Sequence, residues 1–264
     1  MSAKPTLILI PGSWHTAAVW DKVSDFLKAQ GYTCIGVDLP SCSPNPSATF
    51  YDDVQAVRKA ILLVTNDDNH NVVLVAWSYG GQVANSAIKG LSFTPTIDEK
   101  EEEEASHHRH VLGLVLLASG FTATGVSFLA ATNGIPPPFI TLNHTTGYAE
   151  LTTDPKALFY NDLPELDAQN WKSNLTEMSL EALTEGGEHA YAGWKDVPVW
   201  FLVPLDDAAL PAEVQRGFVR SAVEQGGDVT MREVRAGHAA MLSRPGEVAE
   251  FVGEAVEAFV AAES

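Results

Sequence analysis

Strand-length apolar runs alternate with longer amphipathic stretches along this chain, and several of those runs are apolar on both faces. LILIPG (7–12), NVVLVAW (71–77), VLGLVLLAS (111–119) and VPVWFLVP (197–204) are of this kind. A strand that faces water on one side alternates polar and apolar residues, so continuous runs must be covered on both faces. CIGVDLP (34–40) and DVTMREV (228–234) add two weaker strand candidates. Between them, VWDKVSDFLKAQG, YDDVQAVRKAILLV, GGQVANSAIKG, PAEVQRGFVRSAVEQGG and RPGEVAEFVGEAVEAFV repeat apolar residues at helical spacing, and Gly90 is placed to cap the third of them. Strand and helix in alternation predict an open α/β fold: a mostly parallel sheet flanked by helices. Sites in such sheets lie beyond the carboxyl ends of the strands.

Two stretches break the rhythm. Residues 92–110 carry DEKEEEE (98–104), a net of −5, followed by His107, His108 and His110. A self-repelling run of this kind reads as an exposed loop, and the histidine spacing does not match a helical metal pair. Residues 120–196 lack strand signals and contain PPPF (136–139). They read as a helical cap inserted over the sheet's carboxyl-end face, with helical segments around 155–186. The core is then 1–119 and 197–264, interrupted by the cap.

The formal net charge of −18 argues against nucleic acid or an anionic membrane surface as partner. No run is long enough to cross a bilayer, and MSAKPTLILIPG lacks a proper signal peptide, so a cytoplasmic location is expected. Cys34 and Cys42 agree with a reducing compartment, Cys34 as a small buried apolar side chain. Asn143-His144-Thr145 and Asn174-Leu175-Thr176 fit the glycosylation pattern, which a cytosolic protein does not use.

The chemistry gathers at strand ends. In VVLVAWSYGGQVA (72–84) a buried strand turns directly into a helix at Ala76-Trp77-Ser78-Tyr79-Gly80. A serine on such a sharp turn, among small residues, is a nucleophile elbow of the G-x-S-x-G type, here with Ala in the first position. Its hydroxyl needs a base, and the base needs an orienting acid. His238 follows one strand in RAGHAAM, and Asp206 and Asp207 follow another in LDDAALP. The order serine, acid, histidine is that of Ser78, Asp207 and His238. The N–H of Tyr79, directly after the serine, is the expected first oxyanion donor.

These segments resemble the methylesterase and hydroxynitrile-lyase group of the α/β-hydrolases. PGSWHTAAVW is similar to that group's HGAWHGAWCW, and VLVAWSYGG to VLVGHSxGG. LDDAALPAEVQ and GHAAMLSRP are similar to TEDKxIPEEFQ and DHMAMLxxP. The match covers most of 5–91 and 197–260; the middle of the chain is only loosely similar. The resemblance implies Asp207 as the acid, since that acid stands four residues before the proline and eight before the glutamine, here Pro211 and Gln215. It also implies Ser13 as the second oxyanion donor, with His15 supporting that loop. Trp77 stands where the group has histidine, and Ala239 where the cyanohydrin-cleaving branch has lysine, which argues against that lyase activity.

The expected function is a serine hydrolase of a small apolar or aromatic ester or lactone, acting through an acyl-enzyme with no cofactor and no metal. Trp77, Phe139 and Trp171 are the expected substrate contacts. Two alternatives stay open: non-hydrolytic chemistry (elimination or carbon–carbon cleavage) with His238 as base, and a small-molecule receptor. The reading is compatible with a homodimer.

Overall fold

The computed structural model describes residues 4–92 and 109–263. The acidic run and His107 and His108 lie outside the described residues. Six strands, β1 (Thr6–Ile10), β2 (Cys34–Gly36), β3 (Val72–Trp77), β4 (Val111–Leu117), β7 (Val199–Pro204) and β8 (Val229–Val234), form one sheet in the order β2-β1-β3-β4-β7-β8. Every pairing in it is parallel. The chain runs from β1 outward to β2 and then returns to place β3 on the other side of β1. That reversal opens a crevice at the carboxyl ends of β1 and β3.

β1, β3 and β4 are buried at every residue. Alternate side chains point to opposite faces, so both faces are covered. The helices that cover them are α1 (Asp21–Ala29), α2 (Phe50–Leu62) and α3 (Gly80–Ala87) in the first half. After β4 come α4 (Pro155–Phe159), α5 (Glu165–Ser173) and α6 (Glu181–Thr184), then α7 (Ala212–Glu224), the single turn α8 (Ala240–Ser243) and α9 (Pro245–Ala262). α1 packs on α9, and α2 on α3. α2 begins in a capping box, with Thr49 and Asp52 bonding each other's backbone N–H, which stabilises its first turn by about 1 kcal/mol.

The segment between β4 and β7 departs from the all-helical expectation. It contains an antiparallel hairpin, β5 (Ile140–Asn143) with β6 (Tyr148–Leu151), beside its short helices. Four-residue strands alternate too briefly to register as a pattern, since only Ile140 and Ala149 among them are buried. Asn143 folds the turn by accepting from the N–H groups of Thr145 and Thr146, and Gly147 closes it with φ of 77°. Both cysteines are free; Cys34 is only half-buried, and Cys42 is the buried one. Among the described residues no helix is long and apolar enough to cross a membrane, and no group of side chains is placed to hold a metal.

Candidate active site

Ser78 directly follows β3 with φ of 53°, a left-handed conformation that costs a non-glycine residue roughly 1–3 kcal/mol. The surroundings enforce it. Its N–H donates to the Leu117 carbonyl (3.0 Å), and its own carbonyl accepts from Ser119 Oγ (2.7 Å) and the Gly81 N–H (3.0 Å). α3 starts two residues later, so close to the β1 loop that a Cβ on Gly80 would lie 2.2 Å from the Pro11 carbonyl oxygen. Ala76, in the elbow's first small position, is fully buried in the strand between Ile10 and Leu116.

His238 lies in the loop between β8 and α8. Its Nε2 is 3.1 Å from Ser78 Oγ, and its Nδ1 is 2.8 Å from Asp207 Oδ2. The loop after β7 turns Asp207 inward, 7 % exposed, and leaves Asp206 facing solvent. Asp207 Oδ1 accepts from the N–H groups of Ala209 and Leu210 (2.9 and 2.8 Å), and Oδ2 also accepts from Gln215 Nε2 (2.9 Å). Donors that converge on both oxygens fix the carboxylate plane, and with it the imidazole that it holds. Gln215 is completely buried; the acid loop closes on it.

Trp77 does not reach the cavity. It is buried behind the histidine, and its indole N–H donates to the His238 carbonyl at 2.9 Å. Its ring also meets His15 edge-on at 4.7 Å between centroids. Trp171 is half-buried against the core, away from the cavity lining. Phe139 does line the cavity. An aromatic beside a nucleophile, or in a cap, carries no sequence signal that separates packing from substrate contact.

The cavity over Ser78 holds about 340 Å³. Ser13, Tyr79, Gln82, Ser119 and His238 supply its polar lining, and Trp14, Phe128, Phe139, Ile140, Phe159 and Leu210 much of the apolar remainder. Among the described residues no carboxylate, lysine or arginine lines it. The backbone N–H groups of Ser13 and Tyr79 make no hydrogen bond to any described residue.

Behind this wall lie polar groups of which sequence reading named His15 and missed Asp53, Ser41 and Tyr160. The Tyr79 hydroxyl donates to Asp53 Oδ2 (2.8 Å), while Ser41 donates to the same carboxylate through Oγ (2.6 Å) and N–H (2.9 Å). Burial pushes the Asp53 carboxyl up to about 6 against these donors. His15 is buried, with Nδ1 on the Ser13 carbonyl (2.7 Å) and Nε2 on the Tyr160 hydroxyl (2.5 Å). Burial holds it down to about 4, opposed by the Ser13 bond and helped by the nearby His238. Asp53 occupies a core-facing position of an otherwise ordinary amphipathic helix, so only the rarity of a buried acid pointed to it.

With this geometry in place, comparison with known proteins decides the family. The profile of the alpha/beta hydrolase family matches residues 7–251. The chain belongs to that family. An alpha/beta hydrolase of Aspergillus novofumigatus is 29 % identical, over 96 % of this chain and 99 % of its own length. A pyrethroid hydrolase from Sphingobium faniae superposes with a TM-score of 0.73 at 20 % identity, covering 96 % of this chain and 98 % of that one. Polyneuridine aldehyde esterase superposes with a TM-score of 0.71 at 20 % identity, covering 96 % of this chain and all of the other. Tomato methylketone synthase I, solved with 2-tridecanone, gives 0.72 at 16 % identity, over 97 % and 99 %. The chain is a member of the hydrolase family with a fold common to these enzymes.

Proposed function

We propose that the protein is a serine hydrolase of small, uncharged, largely apolar carboxylic esters or lactones. The observation that carries this reading is the continuous hydrogen-bonded chain Ser78–His238–Asp207, at 3.1 and 2.8 Å, opening into an apolar cavity that no formal charge among the described residues lines. His238 Nε2 takes the Ser78 proton as Oγ attacks the carbonyl carbon, and the carbonyl π electrons move to oxygen. The N–H groups of Ser13 and Tyr79 are the donors for that oxyanion, each such donor being worth on the order of a hundredfold in rate. Collapse expels the alkoxide, which takes the proton from His238. Water, deprotonated by His238, then releases the acid and restores Ser78. Asp207 keeps Nδ1 protonated and stabilises the imidazolium formed in each half-reaction.

The segment from 120 to 196 acts as the cap that shapes the substrate's body, since Phe128, Phe139, Ile140 and Phe159 all come from it. An acyl or alcohol part that is apolar and without charge suits such a wall. The hydrolase and esterase names of the relatives support the reaction class. Intact-mass labelling with a fluorophosphonate, alongside a panel of aryl esters and lactones, tests it. One adduct per chain, absent from Ser78→Ala, with turnover of some ester, is the expected result. No adduct on a folded wild-type protein would overturn acyl transfer and point to His238 acting as a base alone.

A further inference from the structure

Four consecutive residues of the inserted segment, Phe159-Tyr160-Asn161-Asp162, bond to all three loops that bring groups to the candidate site. The Phe159 carbonyl accepts from the Ala239 N–H (3.3 Å), and Asp162 Oδ2 accepts from the Gly237 N–H (2.7 Å). These two bonds straddle His238. Asn161 Nδ2 donates to the carbonyl of Asp206 (2.9 Å), the residue before the acid. Tyr160 reaches the third loop through His15, which bonds the Ser13 carbonyl. The fit at Gly237 is close enough that a Cβ there would lie 2.1 Å from Asn161 Oδ1 and 2.8 Å from Asp162 Oδ1.

The loop that carries His238 has no regular structure of its own from Arg235 to Ala239. Its other ties include the His238–Asp207 bond, Trp77 Nε1 on the His238 carbonyl, the Asp206 N–H on the Ala236 carbonyl and Arg244 Nε on the Arg235 carbonyl. We infer that Asn161 and Asp162 are positioning residues that hold the base and acid loops in register. This inference rests on the hydrolase reading. The segment that roofs the cavity is then also the clamp on the triad, and the site is complete only while the roof is seated. A freely swinging lid would behave differently, because opening it would leave His238 in place.

The test measures the second-order rate of Ser78 phosphonylation by diisopropyl fluorophosphate, a probe small enough to need little from the roof. Rates are read well below each variant's melting temperature. Misplacing a base by a fraction of an ångström costs at least about tenfold, the loss expected for Asp162→Ala. Asp162→Asn, whose amide oxygen still accepts from Gly237, should regain most of that loss, and Asn161→Ala should slow labelling about threefold. The far-downfield proton resonance of the His238–Asp207 bond should broaden or shift in step with these rates. Wild-type rates and an unchanged resonance in Asp162→Ala and Asn161→Ala would overturn the clamp. If Asp162→Ala does not fold, the Asn161→Ala/Asp162→Asn double variant takes its place, with about fivefold slowing expected and a wild-type rate overturning the inference. A wild-type protein that the probe does not label would instead remove the hydrolase reading.

Discussion

The serine and the histidine of this site are held by two different kinds of structure. Ser78 is fixed mostly by its neighbours in the chain, a buried strand before it and a helix two residues after it, together with the bond from its N–H to the Leu117 carbonyl on the adjoining strand. His238 sits in a loop, and what holds it comes from far away in sequence: Trp77, Asp207 and the stretch around Asp162. A nucleophile on a strained turn must be rigid before substrate arrives, and the interior of a parallel sheet supplies that rigidity locally. A base must be aimed at it across the fold, so its position is a sum of remote contacts, each open to separate attack.

The sharpest way to break the comparison is at the acid. Asp207→Asn should lower ester turnover by about ten-thousandfold, while Asp206→Asn should stay within about twofold. Equal losses in both would mean that the loop, and not one carboxylate, orients His238. On the serine side, Gly80→Ala sets a Cβ against the Pro11 backbone, which cannot rotate away. It should destabilise the protein by about 3 kcal/mol or more and abolish labelling. A folded, active Gly80→Ala would show that the elbow is softer than its geometry implies.

Two buried groups give the pH arm of the comparison, and their signs oppose. Asp53 is pushed up from 3.8 to about 6, so the native state binds more protons across that window. Its contribution to stability is therefore present at low pH and lost as pH rises through 6. His15 is held down from 6.5 to about 4, so the unfolded chain binds more protons there, and native stability falls as pH drops from 6.5 towards 4. Each span is worth on the order of 3 kcal/mol at about 1.4 kcal/mol per pKa unit. Calorimetry between pH 4.5 and 7.5 should show Asp53→Asn losing stability steeply on acidification and His15→Gln gaining it. Parallel profiles in the two variants would contradict both assignments. A smaller effect than those at the acid and the elbow belongs to Trp77→Phe, which keeps an aromatic ring in the buried position and loses one bond to the His238 carbonyl. Labelling should slow by about fivefold to tenfold with little change in KM for an ester. A changed KM with unchanged labelling would return Trp77 to the substrate wall.

The legible parts share one property: their signal is local. β1, β3, β4 and β7 announce themselves as nearly continuous apolar runs, and the elbow as a serine where such a run meets a helix. The β5–β6 hairpin escaped because each strand is four residues long and buries only one of them. Trp77 and Trp171 read as substrate contacts because an indole looks the same whether it packs or binds; only the path of the ring tells them apart. Gln215 stood out only as a marker for Asp207, though the buried amide is itself a donor to that carboxylate.

By itself the sequence determined the parallel sheet, the strand-to-helix turn at Ser78 and the chain order serine, acid, histidine, because burial period and turn chemistry act over a few neighbouring residues. The resemblance singled out Asp207, and the tertiary structure turns it inward and leaves Asp206 facing out. Only that structure turned Trp77 behind the histidine and set Asp162 beside Gly237. Those outcomes depend on which loops meet across gaps of 75 and 161 residues, and hydrogen bonds formed at such separation leave no periodic trace in the chain that makes them.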